Sequence, residues 1–360
     1  MLRKFLQFFG GLAIVLTLFR FIALDYWWVR MFDFPHVQLT VLVGVALATY
    51  FIRFDRTWKK DYLFVLMLLA CFIYQVVRII PFTPLAAYEV LDTTEDDANQ
   101  QLSIYSANVL QKNKKRAQLL QELQTTDADV LLFMETNTAW QQEITAVLPE
   151  SYQYRVEYPL DNTYGILMYS KKELISPEVK FMIDDSIPSI HTRLRLDNNE
   201  IVQLYAIHPT PPMPMHNPMS TDRDQEMMLT ATLARQSDLP VIVLGDFNDV
   251  AWSQTTRLFQ RVSELLDPRK GRGLFNTYNA DNPILRWPLD HLFVSKEFRV
   301  VAIERGKDIH SDHFPIYAKL SLEPKGAAEQ APKPPNQQDL KDAKEQIKGN
   351  QFNLSIDPLQ

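Results

Sequence analysis

The chain has 360 residues, with 37 Lys and Arg against 43 Asp and Glu, a formal charge of −6 at pH 7, and one cysteine. That balance excludes a strongly basic polyelectrolyte surface for non-specific nucleic-acid binding, though it leaves room for a local basic groove. A single cysteine, Cys71, excludes a disulfide framework and a cysteine-based metal site.

Apolar residues crowd into the N-terminal part. Phe5–Phe19 (extended through Phe21–Leu24), His36–Ile52 and Tyr62–Ile80 are three runs near the length of about 20 residues that crosses a hydrocarbon core. Arg20 and Arg78 sit near run ends, where long side chains snorkel to headgroups. Three buried helices of a soluble bundle are the alternative, but the loops between the runs are short and little other sequence is left to cover them. The basic start Met1-Leu2-Arg3-Lys4 also suits a signal peptide. No small-x-small cleavage site follows it, and the chain continues through Arg20-Phe21-Ile22 to Tyr26-Trp27-Trp28, so an uncleaved anchor with an interfacial aromatic group is expected. Arg3 and Lys4 precede the first run, and Arg53, Arg56, Lys59 and Lys60 crowd the second loop. Positive-inside counting therefore puts the N-terminus and second loop in the cytoplasm. The expectation is a multi-pass protein of a bacterial inner (plasma) membrane whose soluble domain is extracytoplasmic.

Residues 1–84 form this anchor with its three transmembrane helices, and 85–99 read as an acidic linker containing Asp92–Asp97. Between 100 and 323 strand-like and helical runs alternate, as in an α/β domain. Ser103–Asn108 is a strand ending in Asn108, and Val130–Glu135 is a strand ending in Glu135. Arg116–Thr125 and Asp222–Arg235 read as helices. Pro240–Leu244 has the unbroken apolar character of a strand buried on both faces, and it runs straight into Gly245-Asp246-Phe247-Asn248-Asp249. Leu289-Asp290-His291 leads into Leu292–Ser295, and Ser311-Asp312-His313 into Pro315–Leu320. From Pro324 onward Pro, Gln, Lys and Ala dominate, so 324–360 is expected to be a disordered tail with at most a transient helix over Asp339–Lys348.

Glu135, Asp246, Asp290 and Asp312 are thus four acids at strand ends. Brought within a few Å of one another at an effective dielectric near 20, like charges cost roughly 4 kcal/mol per pair. A hard divalent cation is the natural remedy, and oxygen ligands without cysteine suit Mg²⁺ or Mn²⁺. Asp290 is placed to orient the His313 imidazole, while Asn108 and Asn248 offer neutral donors for phosphoryl oxygens. Acids for a metal, a histidine for phosphate and amides for a transition state suit metal-assisted phosphoester hydrolysis. The plainer alternative is that each Asp caps a turn and each histidine is a satisfied core residue. His191, His216, His291 and His310 read as ordinary, His291 because it neighbours Asp290 on a strand and points to the opposite face. Arg223 opens a helix, where it either meets a phosphate or serves as a cap or surface charge.

Asn108, Glu135, Gly245-Asp246-Phe247-Asn248, Leu289-Asp290-His291 and Ser311-Asp312-His313-Phe314-Pro315 occur in an order that resembles the endonuclease/exonuclease/phosphatase superfamily. The resemblance covers about residues 100–322 and implies an α/β (α+β) four-layer sandwich, two mixed β-sheets with helices outside and a site at their shared edge. It implies Glu135 as principal metal ligand with Asn108 and Asp312 beside it, and Asp246 as the acid that positions or activates water. It further implies Asn248 as the amide on the phosphoryl group, Asp290 and His313 as a pair, and His208 in Tyr205-Ala206-Ile207-His208-Pro209 as a second histidine. Tyr164, opening Tyr164-Gly165-Ile166-Leu167-Met168-Tyr169-Ser170, is implied to touch substrate, as is Asn108. The Pro209-Thr210-Pro211-Pro212 run departs from the nucleases of the family, so their substrate contacts do not transfer.

The resulting expectation is a membrane-anchored, metal-dependent phosphodiesterase, nominally a nuclease. The alternatives are a phosphatase or phospholipase-type hydrolase of lipid or small phosphoesters and, in a different class, a non-catalytic periplasmic binding module. The expected partners are a phosphodiester substrate (nucleic acid, lipid or small phosphoester) and the lipid bilayer, with no obligatory protein partner. Substrate choice resides in loops such as His208–Pro218 and Arg269–Pro288. The basic second loop also sets a topology test. A reporter active only outside the cytoplasm should give signal when fused after Glu323 and none near Arg56; the reverse pattern overturns the orientation.

Overall fold

The computed structural model describes residues 1–22, 24–214 and 217–348. At the N-terminus lie α1 (Leu2–Phe19), the single turn α2 (Trp27–Arg30), α3 (His36–Tyr50) and α4 (Lys59–Ile79). Ala13, Val43, Ala46, Leu68 and Cys71 form the seam along which α1, α3 and α4 pack. Their outward faces carry exposed apolar side chains such as Phe8, Val15, Val41, Leu66, Ile73 and Val77. Among the described residues three helices are long and apolar enough to cross a membrane, spanning Leu2–Phe19, His36–Arg53 and Lys59–Phe82. Large apolar surfaces of this kind are unfavourable in water and satisfied in lipid.

The remaining elements are β1 (Gln101–Asn108), α5 (Ala117–Leu123), β2 (Val130–Met134), α6 (Thr138–Val147), β3 (Tyr154–Tyr158), β4 (Ile166–Ser170), β5 (Leu174–Lys180), β6 (Ser189–Arg195), β7 (Ile201–Ala206), α7 (Thr221–Gln236), β8 (Val241–Asp246), α8 (Gln254–Ser263), β9 (Asp290–Val294), β10 (Phe298–Arg305), β11 (Ile316–Leu322) and α9 (Gln337–Lys348). They make two mixed sheets, ordered β10-β11-β1-β2-β4-β3 and β5-β6-β7-β8-β9. Strand alternation explains the layers. In β2, Val130, Leu132 and Met134 enter the core between the sheets, whereas Leu131 and Phe133 pack with Trp140 and Ile144 of α6. In β8, Ile242 and Leu244 face the same central core, whereas Val241 and Val243 pack with Met227, Ala231 and Phe259 of α7 and α8. Both central strands are therefore buried on both sides. The expected four-layer sandwich is the observed fold.

The helices at the N-terminus do not hang free of this sandwich. Trp27 N–H donates to Pro218 O at 2.8 Å, Ser220 N–H to Asp25 O at 2.8 Å and Gly271 N–H to Pro81 O at 2.8 Å. Trp252 Nε1 donates to Asp33 O at 2.8 Å. An apolar cluster of Phe82, Val250, Ala251, Trp252 and Leu289, with Phe34, Val37 and Trp287 against it, fills the junction.

One expectation fails in the described part of the tail. Residues 324–348 are ordered and docked, while 349–360 lie outside the described residues. Gln330 accepts from Leu91 N–H at 2.7 Å and donates to Lys296 O at 2.9 Å. In α9, Ala343 and Ile347 join the core beside α7 and α8, Asp339 pairs with Arg261 at 2.8 Å, and Gln225 Nε2 donates to Ile347 O at 2.7 Å. Composition favours disorder because few residues here are apolar, but those few recur at helical spacing and meet a ready-made surface. The linker is pinned as well: Glu89 accepts from Asp267 N–H at 2.7 Å and Lys270 Nζ at 2.9 Å.

Glu226 on α7 is buried, and among the described residues its Oε1 meets no hydrogen-bond partner. Burial alone pushes its carboxyl up to about 8 from 4.5. The folded state then holds a proton that the unfolded chain releases. This contribution to stability is full below about 4.5 and is lost as pH rises through about 8, with a slope of at most about 1.4 kcal/mol per pH unit. Glu226→Gln should flatten the decline in unfolding midpoint of the detergent-purified chain between pH 5 and 8. An unchanged pH profile in the variant would refute the assignment.

Candidate functional site

Parity along the strands builds the site. Ile104 and Asn108 share one face of β1, as do Ile242, Leu244 and Asp246 in β8 and Asp290, Leu292 and Val294 in β9; the apolar members of each set line the inter-sheet core. Where the core ends, residues of the same parity turn polar, Ser106 and then Asn108 in β1, Asp246 in β8 and Asp290 in β9, and the last three emerge together at the shared edge. Asp246 and Asp290 are direct partners across β8 and β9. Asn108 is in register with Met134, the last residue of β2, and Glu135 follows with a left-handed φ of 58°. Gly245 is required on backbone grounds. Its φ is 137°, and a Cβ there would lie 2.0 Å from Ile207 O.

Asn108 Nδ2 donates to Glu135 Oε1 at 2.9 Å and to Asp246 Oδ2 at 3.0 Å, joining the two sheets. Asp246 Oδ1 accepts the Asn248 N–H at 2.9 Å, and Glu135 Oε2 that of Gln111 at 3.3 Å. His313 Nδ1 lies 2.8 Å from Asp290 Oδ2, and its Nε2 lies 3.6 Å from Asp246 Oδ2. His208 Nε2 is 3.8 Å from the same Asp246 oxygen, and the Tyr164 ring lies 5.4 Å from the His208 ring. Asn248, at φ 50°, donates Nδ2 to Pro209 O at 3.0 Å, which gives the proline-rich departure from the nuclease pattern a bracing role here. Asp312 is half-buried and adds negative charge near Glu135. Glu135, Tyr164, His208 and Asn248 line one cleft of about 490 Å³, together with Lys112 and Met213.

Electrostatics separates the two histidines. Burial pushes the His208 imidazole down, leaving it neutral. Burial acts on His313 in the same sense, but Asp290 and Asp246 outweigh it and raise its pKa to about 10, so it is an imidazolium at neutral pH. Burial raises the Glu135 carboxyl, with Asp312 and Asp246 adding to the effect against the Asn108 hydrogen bond. Burial likewise raises Asp246, against the pull of His313. The Tyr164 hydroxyl rises to about 12, chiefly by burial.

Two groupings could hold a cation. Donor atoms of Asp246, Asp290 and His313 all lie within 4.8 Å of one another, but a protonated His313 already supplies a positive charge to both acids from inside. Glu135 feels the His313 charge more weakly than its own burial, and with Asp312 it offers hard oxygens of the kind Mg²⁺ or Mn²⁺ takes. The resemblance implies a ligand role for Asn108; its hydrogen bonds here make its amide a bridge between the acids. Its nitrogen faces the two acids and its Oδ1 accepts the Leu110 N–H at 3.1 Å, so it is a donor bridging carboxylates.

The structure also places residues that sequence reasoning passed over. Thr277 Oγ1 accepts the Asp290 N–H at 3.2 Å, Ser311 Oγ donates to Asn108 O at 2.8 Å, and the Tyr278 ring lies 5.0 Å from His313. Ser311 carried a signal, since it belongs to Ser-Asp-His; Thr277 and Tyr278 sit in a loop with no strand-end pattern. His291 points away from the site, its Nε2 2.8 Å from Asp249 O. His191 packs on Tyr205 and His310 is exposed, while His216 lies outside the described residues. Arg223 neither faces the cleft nor lies on the surface: it is buried and donates to Asp224 and to Asn248 O.

A family model described as the endonuclease/exonuclease/phosphatase family matches residues 102–313. Among solved structures, a functionally unknown conserved protein from Enterococcus faecalis V583 is similar with a TM-score of 0.51 at 15% identity, over 62% of this chain and 100% of that one. D. rerio TDP2 complexed with single strand DNA product gives a TM-score of 0.50 at 16% identity, over 62% of this chain and 100% of that one. At such identities the likeness is one of fold. No curated protein matches the sequence.

Proposed function

The chain belongs to the endonuclease/exonuclease/phosphatase family, and from that premise we propose that it is a membrane-anchored, metal-dependent phosphodiesterase acting on nucleic acid outside the cytoplasm. The observation that carries this reading is the bridge from Glu135 through Asn108 to Asp246, with the His313 imidazolium beside it. Glu135 and Asp312 would hold Mg²⁺ or Mn²⁺. When bound, such an ion neutralises phosphoryl charge and lowers the pKa of a coordinated water.

The chain's own groups supply the rest. Asp246, braced by Asn108 and the Asn248 N–H, is a buried carboxylate whose raised proton affinity suits it to orient a water and accept its proton. His313, fixed in orientation by Asp290, presents Nε2–H as a charged donor to a phosphoryl oxygen. Asn248 supplies a neutral donor to the same group. Neutral His208 and the Tyr164 hydroxyl form the cleft wall that meets substrate.

A second reading, hydrolysis of lipid phosphoesters, draws on the position of the loop over residues 276–288. Tyr278 of this loop lies tilted against His313, Trp287 packs on Phe34, and Gln38, in the first turn of a candidate span, donates to Ile284 O at 2.6 Å. Ile284 and Leu285 are exposed beside that span. The detergent-purified full chain, with Mg²⁺ or Mn²⁺, should be offered plasmid DNA, RNA, phospholipid vesicles and a generic bis-phosphodiester. Turnover of the vesicles alone selects the lipid reading, and turnover of nothing in the panel refutes both.

Glu135→Gln should lower metal-dependent turnover by about 100-fold or more, because metal charge stabilisation is worth several kcal/mol. Stability of the metal-free protein should hold level or rise as repulsion with Asp246 and Asp312 is relieved. Wild-type rates at low Mg²⁺ would show that Glu135 is not a ligand. His313→Ala and Asp290→Asn should each cost about 10²–10⁴-fold in turnover. As one functional unit, the double variant should be little worse than the poorer single one; multiplicative losses would mean that the two act independently.

A further inference from the structure

A file of opposite charges, buried at its inner end and partly exposed at Arg30 and Asp25, runs from the helix bundle to the loop that follows Asp246. Arg20 Nη2 lies 3.1 Å from Asp33 Oδ1. Arg30 lies 2.6 Å from Asp25, 3.9 Å from Asp33 and 3.7 Å from Asp224. Asp224, in the first turn of α7, receives Arg223 Nε and Nη2 at 2.9 and 2.8 Å and Ser220 Oγ at 2.8 Å. Arg223 spends its remaining arm on the loop: Nη1 donates to Asn248 O at 2.9 Å and approaches Asp249 Oδ1 at 3.6 Å. The bundle grips the same loop a second time through Trp252 Nε1 and Asp33 O.

This expenditure of buried charge has a purpose in the conformation of Asn248. Its φ of 50° lies in the left-handed region, which a residue with a side chain holds only when its surroundings over-determine it. Three contacts do so: N–H to Asp246, side-chain amide to Pro209 O, and carbonyl to Arg223. The Arg223 side chain is 1% exposed and Asp224 4%. Ion pairs buried this deeply add little net stability over apolar packing of the same volume, whereas their fixed geometry specifies position.

We propose that Arg223 is a positioning residue for Asn248 and that the domain-facing ends of the bundle, through Arg30 and Asp33, hold it in that role. The membrane anchor is then part of the active-site scaffold as well as a tether. The proposal rests on the reading of Asn248 as the amide that meets the phosphoryl group.

The test is a mutant cycle on the full chain in detergent, with a generic bis-phosphodiester and Mg²⁺ or Mn²⁺. Arg223→Lys keeps the charge and loses the fork; Arg30→Gln perturbs the file one step away and leaves Arg223 paired to Asp224. Each should lower kcat per folded molecule by about 10- to 100-fold, as small misplacements do, with KM little changed. In an Asn248→Ala background neither should lower kcat further. Unchanged kcat in both variants, or losses that multiply with Asn248→Ala, overturns the proposal, as does a fall in unfolding midpoint without a fall in kcat. Full activity in Asn248→Ala alone sinks the reading of Asn248 itself, a distinct result that removes the proposal with it.

Discussion

Negative charge buried where two sheets meet is the constraint on which the rest of this structure turns. Asp246 and Asp290 face each other across β8 and β9, nearly inaccessible to water. Two adjacent carboxylates cannot both be ionised in such a place without a counter-charge. The His313 imidazolium supplies it, reaching one acid through each ring nitrogen. His313 belongs to the segment entering β11 of the six-stranded sheet, whereas both acids end strands of the five-stranded sheet. The charge balance of the site is therefore also a clamp between the sheets, and Asn108 adds a second by bridging Glu135 and Asp246.

That clamp explains why the chemistry collects at one edge. Strand alternation sends the apolar residues of one parity of β1, β8 and β9 into the central core. As soon as the core stops, that parity delivers Asn108, Asp246 and Asp290 to a common place without any need for long loops. The loops refine the site. Gly165 lets the chain pass against Thr136, since a Cβ there would stand 1.8 Å from Thr136 O, and so sets Tyr164 beside His208. Pro209 lends its carbonyl to Asn248.

The bundle completes the picture from below. Phe34, Val37 and Phe82 at the ends of its helices pack with Val250, Ala251 and Trp252, the residues just beyond Asn248 and Asp249. Burial of this apolar junction sets the orientation of the sandwich on its anchor, and the charges of Arg20, Asp33 and Arg30 lie beside it. The loop at the heart of the site is thus held on one side by the sheet and on the other by the N-terminal helix bundle.

Local signals were the ones legible in the sequence. Val130–Glu135 read as a strand and Pro240–Leu244 as one buried on both faces, because the layers beside them demand apolar side chains, and the acids stand out because they end such runs. The three spans are legible for the same reason, as continuous apolar length. The order of residues 324–348, the donor role of Asn108 and the placing of Arg223 were not. Each depends on partners far along the chain: Gln330 on Leu91, Asn108 on Asp246, Trp252 on Asp33. Periodicity and composition report what a segment needs from its surroundings, which is why they determined the strands, the spans and the residues at the strand ends. Which polar group meets which is a matter of three-dimensional proximity and hydrogen-bond direction, and only the packed tertiary structure decides it.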